Sequence, residues 1–399
     1  MSPKQAHFII GRIKRQGWQA KEKKDILTEG IYQKLAKHLD DLPGGFPPTD
    51  SGVEMRILKR LFSPEEAELA LHLTLIAEQP KVVARRAKIS RQEAERRLAT
   101  MAKKGLIYRI YSKKNQPTYM AAQYLMGIWE FHVSDLDPDF VKYMDEYFPV
   151  LLKEAWKIPQ LRTIPVNASL NSELSVMTYE NVDNLVCNVK KAAVAPCICR
   201  RERRLLGEGC DKPGEVCLLF GEVANFYIEN GLGRKIDHPE VLEILKKADE
   251  AGLVLQSTNF QKIINICCCC GCCCGVLRNI KSYPKPASLI SPSFFAVSNP
   301  DTCNGCGVCE DRCQMEAVQV VNEKAAIDAD RCIGCGLCVS TCPMDSLSLV
   351  RKPDTDQPKV PGHMMQTALE LWRARGKPGM GNLIKMRVKS KIDRLLAAQ

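Results

Sequence analysis

The sequence predicts an α+β chain of several domains, and three observations carry that reading. Two cysteine runs of identical spacing, Cys303 to Cys313 and Cys332 to Cys342, repeat at an offset of 29 residues near the C-terminal end. Residues 51–125 pass from three helix-like segments to two strand-like ones. Between these regions twelve further cysteines collect, seven of them within the eight residues Cys267–Cys274. The 399 residues leave room for roughly two to four domains on a prior of about 150 residues each. We place the boundaries at 1–50, 51–125, 126–295, 296–350 and 351–399. Hydrophobic content of 45% and charged content of 26% are those of an ordinary globular chain; twenty cysteines are not.

Residues 1–50 read as a helical arm, with Ile26, Ile31, Leu35 and Leu39 at near-helical spacing. The breaker cluster from Leu42 to Pro48 ends it, and its expected role is to pack on the next domain. The first residues are polar and basic, with only Phe8–Ile10 apolar, so no signal-peptide core is present. No apolar stretch reaches the ~20 residues of a membrane span. We therefore expect a cytoplasmic protein, where thiols stay reduced and serve metals rather than disulfides. So many thiols also suggest an anaerobic host.

In residues 51–125, Ser63-Pro-Glu-Glu66 starts a helix with a Ser cap, Pro at the first helical position and acidic residues at the positive dipole end. Leu69, Leu71, Leu73 and Ile76 supply its apolar residues. A shorter helix follows over Val82–Lys88. Ser90 caps a third, Arg91–Lys104, with Glu93 placed for a capping box, and Gly105 ends it. Leu106–Tyr111 and Thr118–Ala121 read as strands joined by a basic loop. This pattern resembles the winged helix-turn-helix of bacterial transcription regulators. The resemblance implies that the third helix offers Arg91, Gln92, Arg96 and Arg97 to nucleic acid, with Lys113 and Lys114 on the wing beside phosphates. The net charge of +11 fits this placement: Lys81 to Lys114 hold twelve Lys or Arg against Glu93 and Glu95. The same basic face equally suits docking on an acidic protein partner, because folds are reused.

Residues 126–186 carry Trp129, Phe131, Tyr143, Tyr147, Phe148 and Trp156, expected in the core or a domain interface. Asp137–Trp156 reads as one helix, and Ile164 to Val176 as extended, with Asn171 and Ser172 at a turn. The middle cysteine block then opens. Cys197 and Cys199 flank Ile198 after Ala195-Pro196, and Cys210 and Cys217 follow. A helix is expected over Pro239–Ala251. Next come Cys267, Cys268, Cys269, Cys270, Cys272, Cys273 and Cys274, interrupted only by Gly271. Packing alone does not call for seven thiols here, and a ladder of vicinal disulfides is geometrically implausible. We read at least one metal site drawn from a subset of Cys197, Cys199, Cys210, Cys217 and Cys267–Cys274. A third iron–sulfur cluster, a second cluster beside it, an unusual multinuclear one, and zinc all remain open. Arg200, Arg201, Arg203 and Arg204 are expected to crowd that site, where positive charge favours a reduced cluster. Cys187 stands apart and is expected to be buried; His238 reads as a surface residue.

The two C-terminal runs have the spacing C-x2-C-x2-C-x3-C, and the second is followed by Pro343. They resemble the bacterial two-cluster ferredoxins over residues 296–350, except that Gln314 stands where that family usually has Pro. In that family the fourth thiolate of each run ligates the other run's cluster. The resemblance thus implies two [4Fe–4S] clusters, one on Cys303, Cys306, Cys309 and Cys342, the other on Cys332, Cys335, Cys338 and Cys313. A zinc-ribbon pair would use two CxxC pairs instead. The whole order of CxCR, spaced cysteines, CC-rich loop and double run, over residues 30–350, resembles 4Fe–4S binding proteins of anaerobic bacteria. That resemblance brings cluster binding and no reaction.

The tail, 351–399, is expected to form helices over Met364–Arg375 and Leu383–Ala398. Lys385, Arg387, Lys389, Lys391 and Arg394 make the last one basic, suited to an acidic partner, a membrane surface or docking on its own chain. Gly231-Leu-Gly233 lacks the third glycine of a dinucleotide fingerprint, no GxxxxGK[ST] loop occurs, and the six histidines are scattered. The expected function is single-electron transfer, as an iron–sulfur protein or a subunit working with a redox partner. A redox-responsive transcription regulator and an enzyme acting at the middle-domain cluster are the alternatives.

Overall fold

The computed structural model describes residues 28–397, apart from 171–173, 175, 178–179, 188 and 291. Ile26, Phe8–Ile10, Asn171 and Ser172 therefore lie outside the described residues. Helix α1 (28–40) buries Tyr32, Leu35 and Leu39, and the Tyr32 hydroxyl donates to the Phe62 carbonyl at 2.7 Å. After α2 (Val53–Leu61), Ser63 and Glu66 form a reciprocal capping box at α3 (Pro64–Ala70). Helices α4 (Pro80–Ala87) and α5 (Arg91–Lys103) follow, the latter capped by Ser90, whose side chain accepts from the Glu93 N–H. Strands β1 (Ile107–Tyr111) and β2 (Pro117–Ala121) close an antiparallel hairpin. Glu78 adds a bridge to Tyr119.

A short helix α6 (Trp129–Phe131) leads to α7 (Pro138–Ala155), capped by Asp137 with Pro at its first turn. Trp129, Phe131, Tyr147, Phe148 and Trp156 are buried, as their composition suggests. The middle region is built on an antiparallel sheet. Its strands are β3 (Leu161–Ile164), β4 (Ala192–Pro196), β5 (Glu215–Phe220), β6 (Arg234–Ile236), β7 (Val254–Thr258) and β8 (Asn265–Cys269), in the order β3-β7-β8-β5-β4-β6. Helices α8 (Val182–Val186), α9 (Ile198–Leu205), α10 (Glu222–Glu229), α11 (His238–Glu250) and α12 (Gly275–Ile280) connect and cover these strands. Two sequence expectations change here. The stretch after Ile164 is not simply extended, because Asn167–Ser169 make a 3-10 turn. Cys187 is exposed rather than buried: it caps the C-terminal end of α8, and its thiol reaches the Asn184 carbonyl at 3.2 Å instead of the core.

Strand β9 (Phe294–Ser298) pairs antiparallel with β12 (Leu347–Arg351) and brackets the double cysteine run. Between them lie α13 (Val308–Arg312) and the hairpin β10 (Val318–Val321)–β11 (Lys324–Ile327). The tail helices α14 (Met364–Ala374) and α15 (Gly379–Leu396) fold back onto the N-terminal elements. Trp372 is buried and donates its indole N–H to the Asp41 carbonyl at 2.8 Å. Asp393 on α15 takes Arg85 at 2.8 Å and buried Arg86 at 2.6 Å, while Arg394 pairs with buried Glu78 at 2.7 Å. Of the three roles open to the tail, docking on its own chain is the one these contacts fill. They also occupy two cations of the basic block 81–114. No described helix is long and apolar enough to cross a membrane.

Candidate metal centres

The double run places its thiols as two groups. One cavity is lined by Cys303, Cys306, Cys309 and Cys342, three from the first run and one from the second. Cys332, Cys335 and Cys338 gather with Cys313, close enough that each of the three is pushed toward the neutral thiol, first by burial and then by the negative charge of its companions. Gly305 and Gly334 occupy equivalent places in the repeat, both with positive φ, and a Cβ at either would collide with a carbonyl 2.5 or 2.2 Å away. Only glycine lets the chain wrap this tightly. Backbone N–H groups point at the sulfurs: Ala317 at Cys313 (3.2 Å), and Ala325, Ala296 and Ser346 at Cys303, Cys332 and Cys342 (3.4 Å each). Such donors stabilise thiolate charge and raise the potential of a bound cluster.

In the middle region the cysteine run is not one irregular loop. Cys267–Cys269 end β8, and successive residues of a strand face opposite sides. Cys267 and Cys269 therefore face one side and Cys268 the other, where burial pushes its thiol toward the neutral form. Cys267 sits opposite Cys217 on β5 and opposite Gln256 on β7. Cys197 caps the N-terminal end of α9, with Cys199 one residue into it, and Cys274 caps α12. Six thiols thereby form a string of interacting neighbours: Cys197 with Cys199, then Cys274, Cys269, Cys267 and Cys217. Their neighbours hold Cys267 and Cys274 well below the usual thiol range and push Cys199, Cys217 and Cys269 well above it, so charge is shared along the string. All six line a cavity of about 100 Å³ closed by Trp129, Phe148, Trp156 and Tyr227.

The cavity fits an iron–sulfur group by the chemistry of its donor set: thiols gathered inside a largely apolar, aromatic wall. Gln256 is fully buried, and neither its amide nitrogen nor its oxygen has a partner. It lies in the same cross-strand row as Cys267, beside the cavity rather than among its lining residues. Asn265 already donates to the Cys267 sulfur at 3.5 Å. Glu130, which also lines the cavity, accepts from the Gly127 N–H at 2.9 Å; burial raises its carboxyl to about 7. Neither Glu130 nor Gln256 carried a sequence signal, because nothing in their flanking residues reveals a thiol neighbour.

The structure separates Cys210 from Cys197, Cys199 and Cys217. Cys210 instead joins Cys270, Cys272 and Cys273, whose sulfurs all lie within 4.8 Å of one another. Of the four arginines expected at the site, only Arg200 faces it. It is buried between the two thiol groups, donating to the Pro213 carbonyl at 2.8 Å and the Cys268 carbonyl at 2.9 Å. Arg203 is consumed by Asp145, Glu202 and Glu208. Arg201 reaches the Ser134 carbonyl, and Arg204 clamps the carbonyls of Cys210 and Lys212.

The double run and the middle region touch at several places, among them Ser340 donating to Asp249 and the Val166 N–H to the Cys335 carbonyl, both at 3.0 Å, and one contact reaches the middle thiol run itself. Gln314, immediately after Cys313, accepts the Gly271 N–H through Oε1 at 2.8 Å. A Cβ at Gly271 would lie 2.2 Å from the Gln314 carbonyl, so only glycine permits this approach. The residue that departs from the ferredoxin pattern is thus the one that touches the middle thiols. A proline there could keep the carbonyl but not the side-chain acceptor.

The residues placed as nucleic-acid or partner contacts are on one unit. Gln92, Lys113 and Lys114 are exposed. Arg91 and Arg96 are exposed but paired within α5 to Glu95 and Glu93 at 2.8 Å each, and Arg97 reaches back to the Glu65 carbonyl at 2.5 Å.

No curated protein and no solved structure matches the chain. The family model of the 4Fe-4S dicluster domain matches residues 295–343, which makes the C-terminal double run an iron–sulfur, ferredoxin-like region.

Proposed function

We propose that the chain is an electron-transfer protein, or the electron-transfer subunit of a redox complex. In this reading Cys303, Cys306, Cys309 and Cys342 hold one [4Fe–4S] cluster, and Cys313, Cys332, Cys335 and Cys338 a second. The six-thiol string from Cys197 to Cys274 holds a third iron–sulfur centre. Such clusters supply single-electron transfer, and two-electron chemistry belongs to a partner. The chain's own residues fix the thiolates, exclude water with the aromatic wall, and offer N–H donors to sulfur.

The observation that carries the reading is the Gln314–Gly271 contact, in which the Gln314 side chain, next to Cys313, takes the N–H of the glycine inside the middle thiol run. The test is freeze-quench electron paramagnetic resonance of the anaerobic full chain after a substoichiometric pulse of low-potential reductant. Signals of the ferredoxin-like region are expected first, decaying as that of the third centre grows. A third centre that never exchanges electrons with the ferredoxin-like region contradicts the reading.

A second reading, a redox-responsive regulator built on a winged helix at 51–125, is favoured by one feature. Tyr227 lines the thiol cavity, and its neighbour Phe226 packs against Tyr108 of β1 at 4.9 Å and Phe131 at 4.5 Å. Arg109 and Tyr111 of the same strand bond Glu229. A change at the cavity thus has a packed path to the hairpin. Selection of one duplex sequence from a random pool, with an affinity that changes with oxidation state and falls steeply with salt, would establish this reading over the first.

A further inference from the structure

We infer that Cys210, Cys270, Cys272 and Cys273 form a site for one tetrahedral thiolate-bound metal ion, zinc or iron, separate from any iron–sulfur cluster. The inference stands whether or not the electron-transfer reading does, because it rests on sulfur spacing alone.

A tetrahedral ion with metal–sulfur bonds of about 2.3 Å holds its sulfurs roughly 3.8 Å apart. The observed separations are 3.8 Å for Cys210–Cys270, 3.6 Å for Cys210–Cys273 and 3.7 Å for Cys272–Cys273. All four sulfurs lie within 4.8 Å of each other. In a cubane each thiolate binds a different iron, which spreads the sulfurs to roughly 6 Å. These four are too close for that. They are also too far apart for a disulfide, whose sulfurs sit about 2.05 Å apart. Among the described residues no other set of three or more Cys, His, Asp or Glu brings all its ligand atoms this close together.

The surroundings suit a small anionic site. Four thiolates on a divalent ion leave two negative charges. Arg200 lies buried beside the group, held by the Pro213 carbonyl at 2.8 Å and the Cys268 carbonyl at 2.9 Å. Its Nε has no partner. Arg204 fixes the Cys210 loop from outside through two carbonyls at 3.2 Å. Cys272 is exposed, which gives an ion a way in. Gly271, inside the site, makes the contact with Gln314, so the ion would pin the loop at the junction of the two cysteine regions.

The test compares the anaerobically purified full chain with Cys272→Ser and Cys210→Ser, measuring zinc, iron and acid-labile sulfide. Cys187→Ser, at an exposed thiol elsewhere, is the control. Each site variant is expected to lose about one metal equivalent per chain, with no loss of sulfide and unchanged cluster absorbance. If the metal is zinc, its X-ray absorption in the unsubstituted chain should show four sulfurs at about 2.3 Å. If it is iron, the chain should carry about one iron in excess of sulfide. Iron and sulfide lost together in equal amounts would make the group part of a cluster. No metal lost from either variant, with no excess ion in the unsubstituted chain, would make the site empty. Either result overturns the inference.

Discussion

The ferredoxin-like region and the middle thiol region use the same side chain in opposite ways. In the first, eight cysteines recur at fixed spacing and gather as two groups of four, one of them lining a cavity. In the second, eleven cysteines are sorted by the fold: the six-thiol string lines one cavity together with Cys268 and Cys270, and Cys270 also gathers with Cys210, Cys272 and Cys273 beside it. Local chain geometry makes the first site. Sheet register makes the second, bringing Cys217 and Cys267 together from strands fifty residues apart.

That difference is broken or sharpened most strongly by removing single thiols. Cys335→Ser should remove a whole cluster, about one third of iron and sulfide if three cubanes are present. Cys267→Ser should remove less, because Cys217 and Cys269 lie beside it as substitutes. Equal losses on metal analysis would mean that the middle string has no spare ligands.

Arg200→Ala should come next. The arginine is buried beside thiolates, and stranding such charge costs roughly 3 kcal/mol or more. Metal should be lost from the middle region while the ferredoxin-like signals persist. An unchanged metal content with an unchanged melting temperature would contradict the role given to Arg200.

Gln314→Pro restores the residue usual in two-cluster ferredoxins and removes the acceptor for the Gly271 N–H. An unsatisfied buried donor costs roughly 1–3 kcal/mol. Cluster content should hold, while freeze-quench kinetics between the two regions should slow. Unaltered kinetics would show that this contact does not set the junction.

The smallest effect concerns Glu130. Its carboxyl titrates near 7 in the fold against 4.5 when exposed, chiefly because of burial. The folded chain therefore keeps a proton that the unfolded chain releases, and stability falls as pH rises from about 4.5 to about 7, then levels. Glu130→Gln keeps an acceptor for Gly127 and should flatten that fall. Parallel denaturation curves for both chains across this window would refute it.

These contrasts also explain what could be read from the chain. The double run was legible because its cysteines are neighbours in sequence, and the caps at Ser63 and Ser90 were legible because each is a local side-chain-to-backbone bond. The six-stranded sheet was not. Val254–Thr258 is buried at every position and Ala192–Pro196 nearly so, so neither shows the alternation of a half-exposed strand. In β8 the run of identical residues hides the alternation altogether. The partition of Cys210 from Cys197, Cys199 and Cys217 follows from that hidden register. Gln314 was visible as a departure from a pattern, but its meaning needed Gly271 beside it.

The central claim, that the middle thiols form a third iron–sulfur centre in electronic contact with the ferredoxin-like region, is tested most directly by a reductive titration of the anaerobic full chain with iron and sulfide analysis on the same sample. About twelve sulfides per chain are expected, as three cubanes require, with a third paramagnetic centre whose signal is altered by spin coupling when the ferredoxin-like clusters are reduced. About eight sulfides, with the middle thiols holding zinc alone, would contradict it.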